Sequence, residues 1–282
     1  MKYLAILLPV AAWALSACDN IESNERWEEK VPVEIKKNVL IEDFTGQNCV
    51  NCPAATDVIH QLQQGAAGAH IIAVGIHGGS MSYSIDKLPF GLATAIGETY
   101  SKDWGVCSWP SGMVDRQGGL LEFTAWPSAA ASRLQLDPAV DMQLSTAFDG
   151  NASDTQWGKA EITVKLSELQ AGALENAYVN VWITEGNIVA RQTKPEGSDN
   201  AYVHQHVLRD VLTPAYGEKV MSQDAEGMAT CTFSYGIPKT YGRSSKTDVL
   251  NMAVVAFVTK GEKGEVMQAE EARIVATTET EE

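Results

Sequence analysis

The chain has 282 residues, 45% of them apolar, and a formal net charge of −15. That length allows two domains of ordinary size, and the apolar share is enough to build real cores. The acidic balance excludes a nucleic-acid binder, because nothing basic is available to neutralise phosphates, and it opposes lying flat on anionic lipid; its plain use is solubility.

The first feature in chain order is Lys2, followed by an almost unbroken apolar run over residues 3–15. The run is too short to span a bilayer as a mature helix and small residues follow it, which is the pattern of an export signal. Leu15-Ser16-Ala17-Cys18 resembles the lipobox of bacterial lipoproteins. The resemblance implies a signal peptide over residues 1–17 and acyl chains on Cys18, several of which together make a stable membrane anchor. Residues 18–37 are polar and charged and read as a flexible tether. No later stretch is long and apolar enough to cross a membrane.

Residues 39–44 read as a strand ending at Gly46, and residues 53–64 as a helix with Ala55, Val58, Ile59 and Leu62 on one face. Residues 71–76 are a continuous apolar run, as in a strand buried on both faces. A helix over 92–104, a short strand over 112–115 and a helix over 127–136 opened by Pro127 complete an α/β pattern. After Pro138 the pattern changes to alternation. Runs at 142–148, 162–166, 178–184, 188–191, 203–212, 228–235, 250–259 and 267–276 read as strands separated by turn residues. The expectation is an α/β domain over residues 38–138, an all-β immunoglobulin-like sandwich over 139–277 and a frayed tail over 278–282.

The chain has five cysteines. With Cys18 acylated, Cys49 and Cys52 form one close pair, and Cys107 and Cys231 are distant singles. Export puts them in an oxidising compartment, where disulfides persist. The two singles are the candidates for a bridge between the domains. Cys49 follows a strand and opens a helix, where free N–H groups and the helix dipole favour a thiolate. Pro53 follows the pair at a position where a missing amide hydrogen costs little. Asp43 shares a strand face with Val39 and Ile41, so it should point into the core with a raised pKa and be able to exchange a proton. The bland readings are a static Cys49–Cys52 disulfide, or zinc bound through the pair; no second pair stands at ligand spacing. His204 and His206 alternate on a predicted strand and read as packing or solvated histidines, and His77-Gly78-Gly79 as a turn. No cofactor is expected.

Residues 43–52, Asp-Phe-Thr-Gly-Gln-Asn-Cys-Val-Asn-Cys, resemble thioredoxin in order and spacing. The resemblance implies a thioredoxin-like first domain with Cys49 as attacking thiol, Cys52 as resolving thiol, Asp43 as buried proton relay and Pro110 as a cis-proline beside them. Val50-Asn51 departs from the family's Gly-Pro, and Trp109 is bulky beside the proline. The whole chain also resembles the Omp28 family of Bacteroidetes lipoproteins, on the lipobox, residues 44–53, residues 73–77, Pro110 with Val114-Asp115-Arg116, and His206-Val207-Leu208-Arg209. That implies a lipid-anchored protein of the outer membrane, on its periplasmic face or at the cell surface. Two functions remain open: thiol–disulfide exchange with other envelope proteins, or surface binding and adhesion with the first domain as scaffold and the sandwich for recognition.

Overall fold

A computed structural model describes residues 36–86, 90–221, 223–242 and 245–275. The expected signal peptide, Cys18, nearly all of the tether and the 278–282 tail lie outside the described residues.

The first half follows from its sequence pattern. β1 (Val39–Thr45) and β2 (Ile71–His77) are buried along their whole length and pair in parallel, Val39 opposite Ile71. α1 (Cys52–Gln64) lies between them in the chain, with proline in its first turn. α2 (Ala95–Asp103) is capped by Thr94, whose hydroxyl accepts from the Gly97 amide. β3 (Ser111–Val114) runs antiparallel to β1, and α3 (Trp126–Arg133) follows.

The second half is strands: β4 (Val140–Asp149), β5 (Gln156–Glu168), β6 (Ala177–Glu185), β7 (Ile188–Lys194), β8 (Gly197–His204), β9 (Val207–Val211), β10 (Glu218–Lys219), β11 (Met228–Pro238), β12 (Thr240–Tyr241), β13 (Ser245–Lys246), β14 (Met252–Lys260) and β15 (Val266–Arg273). The run expected over 203–212 is broken, because His206 adopts φ 54° between β8 and β9.

The main sheet has eight strands in the order β15-β14-β6-β9-β2-β1-β3, with β10 beside β6. β1, β2 and β9 are parallel neighbours, and the remaining pairs are antiparallel. Strands from both sides of residue 138 therefore share one mixed sheet, and they fall in one compact unit. This corrects the expectation of an α/β domain and a separate sandwich with its own two sheets. In place of that sandwich, a three-stranded sheet β11-β5-β4 lies on the β6–β14 half of the main sheet. Ile162, Val164 and Leu166 there meet Val179, Val181, Val254 and Ala256. On the same face at the other end, α1 and α3 cover Val39, Ile41, Ile71 and Ala73. The opposite face, with Leu40, Phe44, Trp182 and Phe257, packs under Tyr100 of α2 and Tyr216.

Buried ions tie these layers together. Lys37, expected in the tether, is buried and pairs with Asp115 at 2.8 Å; Arg133 of α3 meets the same carboxylate oxygen at 2.9 Å. The other Asp115 oxygen accepts from the Leu40 amide at 2.9 Å. Every charge in this cluster has a partner, as burial requires.

Candidate functional site

The site begins where β1 ends. Gly46 must be glycine, since a Cβ there would lie 2.3 Å from the Met81 carbonyl oxygen. The close approach lets the Asn48 amide donate to that same oxygen at 2.8 Å. The chain then turns, with the Cys49 amide donating to Gly46 O at 3.0 Å, and enters α1 at Cys52. Cys49 and Cys52 form a disulfide across this entry. Both are buried, with 4% and 2% of their surface exposed. The two sulfur-bearing residues are therefore sheltered alike.

What shelters them is the β7–β8 hairpin, a two-stranded sheet of its own. Its Ile188 and Ala190 pack with Leu92 and Val207. The next inward residue is Gln192, whose side-chain amide donates to Cys49 O at 2.8 Å and Gly46 O at 3.2 Å. The Thr193 amide donates to Gln47 O at 2.8 Å. The Gln47 side chain answers by donating to the carbonyls of Arg191 and Phe90 and accepting from the Leu92 amide. The hairpin is thus bonded to the backbone of the cysteine turn.

Beside Cys52 lies a small chamber of ≈ 20 Å³. Asp43 of β1, His77 at the end of β2, and Tyr202 and His204 of β8 line it. Burial pushes the Asp43 carboxyl up from its usual 3.8 to about 8, so it carries a proton at neutral pH. Burial, with His204 and Arg209 nearby, pushes His77 well down. Burial lowers His204 to about 4, opposed by hydrogen bonds to the backbone of Arg191 and Ala190. The two imidazole rings stand 5.4 Å apart. The chamber is therefore polar but uncharged near pH 7.

Asp43 carries an expected stability signature. Its folded pKa lies above the unfolded one, so between pH 4 and 8 the native protein holds a proton that the unfolded chain has lost. Its contribution is complete below pH 4 and disappears as pH rises through about 8. Asp43→Asn removes this titration. Its stability relative to wild type should rise by a few kcal/mol between pH 4 and pH 8, read from urea unfolding at each pH. A difference that stays flat with pH contradicts a buried neutral Asp43.

Pro110 follows a cis peptide bond from Trp109, and the next residue, Ser111, opens β3 opposite Phe44 of β1. The sequence thus brings Asp43, Cys49 and Cys52 to one place, with Pro110 leading into the strand beside β1. It does not bring Cys107 and Cys231 together: both are free thiols, Cys107 exposed and Cys231 half-buried, which corrects the expected bridge. Nor do His204 and His206 share a strand. Gln192, His77, His204 and Tyr202 are the residues that sequence reading missed. Among the described residues, no group of three or more His, Cys, Asp or Glu side chains is placed to hold a metal ion, and no helix is long and apolar enough to cross a membrane.

No curated protein matches this sequence. Among solved structures the chain is similar to HBP35 of Porphyromonas gingivalis, at 16% identity and a TM-score of 0.65, over 88% of this chain and 79% of that one. This is a likeness of fold. A domain of the outer membrane lipoprotein Omp28 from Porphyromonas gingivalis aligns at 21% identity over 49% of this chain and 88% of that one, with a TM-score of 0.32. Residues 97–278 match the family model described as outer membrane protein Omp28. That span takes in most of α2, then β3, α3 and every strand of the second half, and on it the chain belongs to the Omp28 family of outer membrane proteins.

Proposed function

We propose that this outer membrane protein exchanges disulfides with other envelope polypeptides through Cys49 and Cys52. The observation that carries the reading is the Cys49–Cys52 disulfide at the entry to α1, above a buried carboxyl that holds a proton at neutral pH. In the oxidised state, a substrate thiolate attacks Cys49 Sγ, the Cys49–Cys52 bond breaks and a mixed disulfide forms. The departing Cys52 thiolate takes the Asp43 proton. A second substrate thiolate then attacks the substrate sulfur of the mixed disulfide, giving a substrate disulfide and the Cys49 thiolate, which takes a proton from solvent. Two substrate thiols are oxidised and one protein disulfide is reduced, and every step reverses. Asp43 acts here as general acid, and Pro110 borders the turn as the thioredoxin resemblance implies.

The partner class follows from the rim. Val50 within the motif, Met81 and Phe90 on the loop bonded to it, and the cross-strand pair Val189 and Val203 on the hairpin are all exposed. Exposed apolar side chains on segments bonded to the cysteine turn suit a polypeptide with an exposed cysteine and apolar neighbours. Cys18 as the acylated residue would hold the protein at the membrane. Cys18→Ala should leave an uncleaved chain without the lipid mass on its N-terminus, read by fractionation and mass spectrometry; unchanged fractionation with no lipid on wild type contradicts the anchor.

The exchange reading is tested by trapping. Mixed with a disulfide-linked peptide, reduced Cys52→Ser should accumulate a mixed disulfide at Cys49 and release one peptide thiol, while Cys49→Ser should not. Equal behaviour of the two variants contradicts the assigned roles. A second reading, a sealed disulfide in a binding scaffold, is favoured by the burial of both sulfurs. It predicts no exchange by wild type above a variant lacking both cysteines.

A further inference from the structure

Three buried polar atoms in the chamber have no partner: Asp43 Oδ1, His77 Nδ1 and His204 Nε2. Their residues are 3%, 3% and 5% exposed. They come from three separate elements, β1, β2 and β8, and line one cavity together with Cys52. Unpaired buried groups of this kind are costly, and three facing one space of this size are an arrangement that a single water satisfies: a chamber of ≈ 20 Å³ exceeds the roughly 10–15 Å³ a water needs.

We propose that His77 and His204 are positioning residues that hold one water against Asp43, and that this water steadies the new carboxylate as Asp43 gives its proton to Cys52 and then returns a proton to it. The proposal rests on the exchange reading above. A neutral imidazole has one acceptor nitrogen. The His204 ring is engaged with the backbone of Arg191 and Ala190, which leaves Nε2 toward the chamber. The water donates to His77 Nδ1 and His204 Nε2 and accepts from the Asp43 carboxyl, three hydrogen bonds in all. When Cys52 Sγ takes the Asp43 proton, the water turns one O–H toward the new carboxylate, passes it that proton and takes one in its place from solvent. No electron moves in this relay. Tyr202 of β8, which burial keeps protonated, also lines the chamber, and the Arg209 charge acts on His77 from outside that lining. Because β8 delivers His204 opposite Ile188, the relay is complete only while that anchored end of the β7–β8 hairpin stays seated. The hairpin thereby contributes to the chemistry as well as to shelter.

Two readouts on the full chain separate the relay from the exchange reading. The first needs no turnover: nitrogen-15 histidine spectra of the oxidised protein from pH 5 to 8. His77 and His204 should stay neutral, each with a hydrogen-bonded acceptor nitrogen in magnetisation transfer with water. The second is the rate of disulfide opening by dithiothreitol, normalised to thiolate concentration. In wild type that rate should fall as pH rises through about 8. His204→Phe should lower it roughly tenfold below that pH and flatten the profile, and His204→Gln, which restores an acceptor, should recover most of it. Free, unbonded acceptor nitrogens, or an unchanged profile in His204→Phe, overturn the relay while exchange stands. A bound water with no exchange above the double-cysteine variant overturns the exchange reading and the relay with it.

Discussion

Replacing Gln192 by alanine is expected to speed reduction of the Cys49–Cys52 disulfide by roughly tenfold or more. The Gln192 amide makes the two side-chain bonds that join the hairpin to Gly46 O and Cys49 O. Each such bond contributes about 0.5–1.5 kcal/mol net, and the Gln192 end of the hairpin must lift, with the Ile188–His204 end still seated, for a thiolate to reach sulfurs that are 4% and 2% exposed. Losing both shifts the closed–open equilibrium by about 2 kcal/mol, more than one factor of ten. The hairpin's apolar anchor on Leu92 and Val207 remains, so the fold should hold. Pseudo-first-order reduction followed by alkylation and mass analysis reads the effect. An unchanged rate in a folded variant contradicts a gating hairpin.

The largest stability loss is expected at Glu42. Its carboxylate takes a bidentate grip from Arg116, Nε and Nη2 each at 2.9 Å, in a place where both side chains are essentially unexposed. The guanidinium also lies over the Phe257 and Trp104 rings, at 5.0 and 5.3 Å. Glu42→Gln leaves this cation buried without its counter-charge, which costs about 3–5 kcal/mol. Replacing both partners, Glu42→Leu with Arg116→Met, should recover most of the loss, because the desolvation penalty disappears with the charges. Urea unfolding of the single and double variants decides it. A double variant as unstable as Glu42→Gln contradicts the view that the unpaired charge is what destabilises.

These two sites mark the reach of sequence reading. β1, β2 and α1 are legible because an apolar run buried on both faces and a one-face helical pattern are local signals. The pairing of β9 with β2 is not local: it joins Gly75 to Val207 across nearly half the chain, and no periodicity records it. That contact is what merges the two expected domains into one sheet. Asp43 was legible as a core carboxyl because period two puts it with Val39 and Ile41. The same rule, applied to Ile188, Ala190 and Gln192, would have placed the glutamine on the buried face of β7 and flagged a polar anchor. His204 was less legible, since β8 is mostly exposed and only its last residue turns inward. Glu42 and Arg116 each look like ordinary charges until the fold buries them together.

The central claim is that Cys49 and Cys52 cycle between disulfide and dithiol in the native protein. Equilibrating the purified full chain across a series of glutathione redox buffers, then alkylating and weighing it, tests that directly. The account predicts a reversible two-electron transition, with the protein still folded at both ends and with turnover of a cysteine-containing peptide that the double-cysteine variant lacks. A disulfide that opens only when the protein unfolds, with no turnover above that variant, would contradict it.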